Sequence, residues 1–154
     1  MKISYGKNVY GKEEINAVIR QLHKTTQMGS SVSKFEHLIA KQFSKKFGLM
    51  VNSGSSALTL AMNVLNFKKN DEIIIPCLNF GTALSSIMIA GATPILVDIE
   101  IDTLQIDVSK IEKKITKKTK AIMVPNLIGN IPDYEKIKKI ANKYKLKVIE
   151  DSAD

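Results

Sequence analysis

Three short segments carry residue types suited to chemistry. The first is Asn52-Ser53-Gly54-Ser55-Ser56. Small side chains let a backbone approach an anion closely. A helix opening there aims its first N–H groups and the positive end of its dipole at the charge. The hydroxyls of Ser55 and Ser56 can add hydrogen bonds. The segment lacks both the Gly-Lys-Ser/Thr ending of a P-loop and the spacing of a dinucleotide-binding glycine loop; a plain Ser/Gly turn with an N-cap is the alternative. The second segment is Pro76-Cys77-Leu78-Asn79-Phe80-Gly81-Thr82. Phe80 can cover the face of a planar ring, or it can be a core residue. Cys77 has no His or Lys near it in sequence and is expected to be a small buried filler, not a nucleophile. The third segment is Val148-Ile149-Glu150-Asp151-Ser152-Ala153-Asp154. Carboxylates at the end of an apolar strand are costly without a partner. A protonated ring nitrogen is one such partner, since a carboxylate beside it keeps the ring an electron sink. A helix N-cap or a Mg²⁺ ligand is the alternative. His23 has no companion at metal-ligand spacing and is expected at the surface or packed.

The elements that must position these segments alternate between helix and strand. Ile15, Val18, Ile19 and Leu22 share one face of a helix over 12–24. Ser33 and Glu36 form a capping box for a second helix, with Phe35, Leu38, Ile39 and Phe43 inward and Gly48 at its end. Leu49–Val51 is read as a short strand. A helix carrying Ala57, Leu58, Leu60, Ala61 and Leu65 follows the Ser/Gly segment, and Lys69-Asn70-Asp71 is a turn. Residues 72–76 form a strand rich in β-branched side chains and buried on both faces. A helix over 82–90 stops at Gly91 and a strand spans 94–98. Asp107 caps a helix running through Ile111 and Ile115. A strand spans 120–125. Asp133 caps a helix with Ile137, Ile140, Ala141 and Tyr144 inward, and a strand spans 146–151. Such alternation predicts an α/β domain, a three-layer α/β/α arrangement around a mainly parallel sheet. The three segments fall at the ends of successive units. Together they supply a phosphate cup, a ring cover and a ring-nitrogen partner, the set that a pyridoxal-phosphate pocket requires.

The bulk properties agree with an ordinary globular domain. The chain has 154 residues, 44% of them hydrophobic and 25% charged, enough for one domain with a sizeable core. A single cysteine forms no internal disulfide, which suits a reducing cytoplasm. The N-terminus has no signal-peptide pattern, and no apolar run is long enough to span a bilayer. The net charge is +8, and Lys110, Lys113, Lys114, Lys136, Lys138, Lys139 and Lys143 fall on repeated helical faces. These alternate with isoleucines at core spacing, so they read as solvated helix faces and not as a nucleic-acid surface.

The chain resembles the DegT/DnrJ/EryC1/StrS family of sugar aminotransferases over its whole length. The resemblance rests on the helix 12–22, Gly29 with Phe35-Glu36, the segment Ser53–Leu58, Gly91-Ala92-Thr93-Pro94 with Val97-Asp98, Thr119–Ile122, and Ile149-Glu150-Asp151. It implies the fold-type-I architecture of pyridoxal-phosphate transferases, with residues 1–154 as the N-terminal part of the large cofactor-binding domain. It implies pyridoxal 5′-phosphate or pyridoxamine 5′-phosphate as cofactor. Gly54, Ser55 and Ser56 would hold the phosphate, Phe80 would stack on the pyridine ring, Asp151 would pair with the ring nitrogen, and Asp154 would stand beside the cofactor. No metal is implied. The implied reaction moves an amino group, usually from glutamate, onto a nucleoside-diphosphate keto sugar, in a homodimer. The family's cofactor lysine would lie beyond residue 154, so the 154 residues alone are expected to be inactive. Two positions depart from the aminotransferase pattern. Asp154 stands where His or Gln is common, and Asn126 where many members have His. Asp154 and the Val51–Ser56 cup look closer to the family's sugar 3-dehydrase branch, which uses pyridoxamine phosphate and deoxygenates the sugar. A non-catalytic nucleotide-binding α/β domain is the reading from another class, and it leaves Phe80 and Asp151 without a role.

Overall fold

A computed structural model describes residues 7–153; Asp154, one of the expected pocket residues, lies outside the described residues. The chain divides into two units, one ending at Met50 and one comprising Val51–Asp154.

The first unit holds helix α1 (Lys12–Lys24) and helix α2 (Ser30–Gln42). Helix α1 starts where Glu14 reaches back to accept the Gly11 N–H at 2.7 Å, and this bond holds its carboxyl below the usual range. The stripe Ile15, Val18, Ile19 and Leu22 is present but exposed, as are Phe35, Leu38, Ile39 and Phe43 on α2; among the described residues of this unit only Ala40 is buried. Three further expectations fail here. Ser33 does not cap α2: its N–H already bonds the Gly29 carbonyl at 3.1 Å, so the helix has begun a turn earlier, with Gly29 as N-cap. Glu36 instead accepts the Met50 N–H at 2.8 Å. Gly48 does not end the helix. Ser44 takes the left-handed conformation (φ 52°), and Lys45 donates to the Ala40 carbonyl at 2.7 Å. Gly48 is needed for another reason, because a Cβ there would lie 2.5 Å from the Glu36 carbonyl oxygen. Finally, Leu49–Val51 is no strand. The described sheet offers it no ladder, and the Glu36 carboxylate takes the Met50 N–H.

The second unit is a four-stranded sheet with helices on both faces. Its strands are β1 (Glu72–Pro76), β2 (Thr93–Val97), β3 (Thr119–Pro125) and β4 (Lys147–Asp151), in the order β2-β1-β3-β4 and all parallel. Alternation along the strands sends side chains to two cores. Ile73, Ile75, Ala121, Met123 and Ile149 pack with Leu58 and Met62 of α3 (Gly54–Leu65) and with Ala83 and Ile87 of α4 (Gly81–Ile89). Ile74, Ile122 and Val124 pack on the other face with Val108 and Ile111 of α5 (Val108–Ile111) and with Ile137 and Ala141 of α6 (Tyr134–Tyr144). The expected three layers are therefore present. The helix expected to run through Ile115 is shorter: α5 ends at Ile111 and a 3₁₀ turn covers Glu112–Lys114.

The charges behave as solvated faces. The seven helix lysines are all exposed. Lys110 pairs with Asp98 and Asp107, Lys136 with Asp133, and Lys143 with Glu112. Among the described residues no helix is long and apolar enough to cross a membrane.

The connections create a crevice. After β1 the chain passes through α4 to β2 on one side. After β3 it passes through α6 to β4 on the other side, over the opposite face. Parallel crossovers share one hand, so opposite directions require opposite faces. The C-terminal ends of β1 and β3 thus diverge, and such a switch point is where open α/β sheets hold ligands.

Candidate functional site at the C-terminal edge of the sheet

Each predicted segment of the second unit ends at this edge. Helix α3 has 12 residues and β1 has 5, lengths of about 18 Å and 16 Å. A short connection joins the end of α3 to the start of β1, so the two run antiparallel and the α3 N-terminus returns to the C-terminal end of β1. Helix α4 begins at that end, with Phe80 as its N-cap residue. Asp151 closes β4.

Side-chain parity then selects a face. Ile149 belongs to the core shared with α3 and α4, so Asp151, two residues on, projects toward that same face. Gly54–Ser56, Phe80 and Asp151 therefore gather at one edge and on one side of the sheet. Glu150 projects to the other face, with Val148 and α6.

At the α3 N-terminus, Ser53 is the N-cap. Its Oγ accepts the Ser56 N–H at 3.1 Å and donates to the Ser56 Oγ at 3.0 Å. The N–H groups of Gly54 and Ser55 have no acceptor among the described residues, and a Cβ added at Gly54 would meet nothing within 4 Å. An anion here meets two open N–H donors, the helix dipole and a backbone bare of side-chain bulk. Phe80 is 71% exposed, so it is no core residue. Asn79 accepts the Phe80 N–H at 2.7 Å, while its buried Nδ2 has no partner. Cys77 is exposed, contrary to the expected filler. It stands one residue past β1, where its N–H makes the last ladder bond to Val97 at 2.8 Å and its thiol lies 3.9 Å from Asp98 Oδ1. His23 is at the surface in the last turn of α1. Among the described residues no group of three or more His, Cys, Asp or Glu is placed to hold a metal.

The structure adds a polar cluster that the chemistry-bearing segments did not predict. The Asn126 N–H bonds the Asp151 carbonyl at 2.9 Å. Its Nδ2 donates to Ser152 Oγ at 2.8 Å and to Glu150 Oε1 at 3.3 Å, and its Oδ1 accepts from the Tyr134 hydroxyl at 2.8 Å. Ser152 Oγ also donates to Glu150 at 3.2 Å. Burial of the Tyr134 hydroxyl raises its pKa well above the usual phenol range, and the charges of Glu150 and Asp151 raise it further. The phenol therefore stays a donor. The loop after Asn126 is tied to the 99–106 hairpin by Gln105 Nε2 to the Leu127 carbonyl at 3.1 Å and by Asn130 Nδ2 to the Thr103 carbonyl at 2.9 Å. The signal available in sequence was Asn126 itself, a polar residue directly after an apolar strand.

Known proteins resemble this chain over nearly its whole length. The profile of the DegT/DnrJ/EryC1/StrS aminotransferase family matches residues 9–154. A dTDP-3-amino-3,6-dideoxy-alpha-D-galactopyranose transaminase from Aneurinibacillus thermoaerophilus is 42% identical, over 94% of this chain and 40% of its own length. A GDP-4-keto-6-deoxy-D-mannose 3-dehydratase from Yersinia pseudotuberculosis is 34% identical, over 96% of this chain and 39% of its own. The crystal structure of a GDP-4-keto-6-deoxymannose-3-dehydratase with a trapped PLP-glutamate geminal diamine superimposes with a TM-score of 0.92 at 33% identity, covering 98% of this chain and 41% of that one. The chain thus spans about two-fifths of the length of the relatives it matches.

Proposed function

We propose that this chain, which belongs to the DegT/DnrJ/EryC1/StrS aminotransferase family, holds pyridoxal 5′-phosphate or pyridoxamine 5′-phosphate at the C-terminal edge of its sheet. On this reading residues 1–154 are the N-terminal part of a cofactor-binding large domain. The whole protein transfers an amino group from a donor such as glutamate to a nucleoside-diphosphate keto sugar, as a homodimer in the cytoplasm. The observation that carries the reading is the gathering of Gly54–Ser56, Phe80 and Asp151 on one face of one strand edge.

The residues present fit the group. The bare backbone at Gly54 and the two open N–H donors suit a phosphate. Gly54 and Ser55 bind through main-chain N–H groups and Ser56 through its hydroxyl, since its N–H is already held by Ser53. Phe80 covers one face of the ring and excludes water from it. Asp151 holds a proton at the ring nitrogen, and Asp154 completes the pocket. When bound, the cofactor supplies an electron-accepting ring that stabilises negative charge on the carbon bearing the amino nitrogen. No residue of this chain is assigned to the cofactor's reacting carbon.

A second reading is favoured by the Val51–Ser56 cup and Asp154, which look closer to the family's sugar 3-dehydrase branch, and by the 3-dehydratase relatives. It keeps the pocket and the sugar-nucleotide class and changes the product to a deoxygenated sugar. One experiment tests both. The full native protein containing these residues is incubated with pyridoxal phosphate, glutamate and a nucleoside-diphosphate 4-keto-6-deoxysugar, and the product is weighed by mass spectrometry. An amino sugar supports the aminotransferase and loss of a hydroxyl supports the dehydratase. A protein that binds neither cofactor form sinks the pocket assignment.

A further inference from the structure

The Asn126 cluster lies on the opposite side of β4 from the proposed pocket, yet every hydrogen bond that Asn126 donates ends on Asp151 or its two neighbours. Asn126 bonds the main chain of Asp151 and the side chains of Glu150 and Ser152. Its own carbonyl accepts the Gly129 N–H at 3.1 Å. Each polar group of Asn126 is thereby engaged, and the amide can serve Asp151's neighbours only in one orientation. Turned over, it would set its oxygen against the Glu150 carboxylate. Tyr134 selects the working orientation by donating to Oδ1 at 2.8 Å. Tyr134 is the first residue of α6, directly after the Asp133 cap that holds the Lys136 N–H at 3.0 Å, so its ring is delivered by a fixed helix start.

We infer that Tyr134 and Asn126 are positioning residues which brace the end of β4 from the far face of the sheet and so aim the Asp151 carboxylate into the cofactor pocket. The inference rests on the proposed role of Asp151 at the ring nitrogen and adds the device that holds Asp151 there. The brace acts through Asp151 alone, so removing part of it weakens whatever depends on the ring nitrogen and leaves phosphate and ring-face contacts as they were.

That separation gives the test. Equilibrium affinities are measured, in the full native protein, for pyridoxamine 5′-phosphate and for its deaza analogue, in which C–H replaces the ring nitrogen. The wild type prefers the natural cofactor, and Asp151→Asn erases the preference. Tyr134→Phe lowers the preference about fivefold, the effect of one ordinary hydrogen bond, with affinity for the deaza analogue unchanged. A general structural defect would weaken both ligands equally. Ser152→Ala, an exposed change that removes one end of the brace, lowers the preference in the same sense and serves if Tyr134→Phe does not fold. If Asp151→Asn erases the preference while Tyr134→Phe or Ser152→Ala keeps the wild-type value, the brace is overturned and the pocket stands. If Asp151→Asn keeps the preference, Asp151 is not the ring-nitrogen partner and the brace falls with it.

Discussion

Replacing Gly54 by valine separates the fold from the ligand. A Cβ at this position meets no atom within 4 Å, so the side chain enters open space. Removing a glycine lowers the entropy of the unfolded chain, a gain of about 0.4–1 kcal/mol in compatible positions, and the stiffness of a β-branched residue at a helix start offsets part of it. Stability should change by less than about 1 kcal/mol, a shift of a few degrees in Tm. The ligand side differs. If the open N–H groups of Gly54 and Ser55 hold the phosphate, the valine branch occupies the space the anion needs. Two charge-assisted hydrogen bonds at about 1.5 kcal/mol or more each amount to roughly 3 kcal/mol, which is on the order of a hundredfold in affinity. Ser55→Ala serves as the control. It removes a hydroxyl and keeps the N–H, so it should cost only about 1 kcal/mol. The assay is a fluorescence titration with pyridoxamine 5′-phosphate, repeated with inorganic phosphate as competitor, beside a thermal melt. A Gly54→Val protein that melts like the wild type and binds within about threefold of it, well under 1 kcal/mol, would refute the phosphate cup.

Asp151→Asn should still bind cofactor but slow the half-reaction with the amino donor by about a hundredfold or more, the scale of losing one preorganised electrostatic partner; a near-normal single-turnover rate shows that another residue does this work. Gly48→Ala forces a Cβ to within 2.5 Å of the Glu36 carbonyl and should cost about 1–3 kcal/mol, seen as faster proteolysis within residues 25–50; an unchanged digestion pattern counts against the packing. The Asp133 carboxyl is held below its usual 3.8 by its bond to the Lys136 side chain and then by the Lys136 N–H. A depressed carboxyl stabilises above its unfolded pKa, and that contribution disappears as pH falls through the folded value. Acid below about pH 4 should therefore uncap α6, and Asp133→Asn should flatten this part of the pH–stability profile; parallel profiles in the two proteins would show that the carboxylate plays no part.

The second unit was legible because its two central strands, β1 and β3, bury both faces. Ile73-Ile74-Ile75 and Ala121-Ile122-Met123-Val124 have no polar face to confuse with a helix, and both runs are fully buried. Turn and cap residues marked the ends: Gly91 has φ 78°, and Asp107 and Asp133 cap as expected. The first unit was less legible because its signals were local. Ser33 and Glu36 have capping-box spacing, but a glycine four residues before Ser33 can start the helix equally well, since an N-cap needs a non-helical φ/ψ more than a side chain. Leu49–Val51 has strand composition, yet a strand needs a partner, and pairing across the chain is not written in three residues. The antiparallel bridge between Ile99 and Ile106 escaped for the same reason.

The site shows the complementary limit. Gly54, Phe80 and Asp151 could be found because each is an unusual residue at the end of a regular element, where backbone direction alone decides what it faces. The roles of Asn126 and Tyr134 could not: Asn126 stands out as a polar residue directly after an apolar strand, but nothing in the sequence says what it bonds, and a tyrosine in a helix is an ordinary residue in an ordinary place. Their meaning comes from parity. Asp151 and Glu150 are consecutive, so they must project from opposite faces of the sheet, and whatever supports one from behind must come from the element that covers the other. That element is α6. Its register is set by the Asp133 cap at one end and by Ile137 and Ala141 packed on the sheet at the other, which leaves Tyr134 level with the end of β4. A carboxylate aimed to one face of a parallel sheet thus draws its support from the helix on the other, and residues that carry such support are read from strand parity together with helix register, not from motifs.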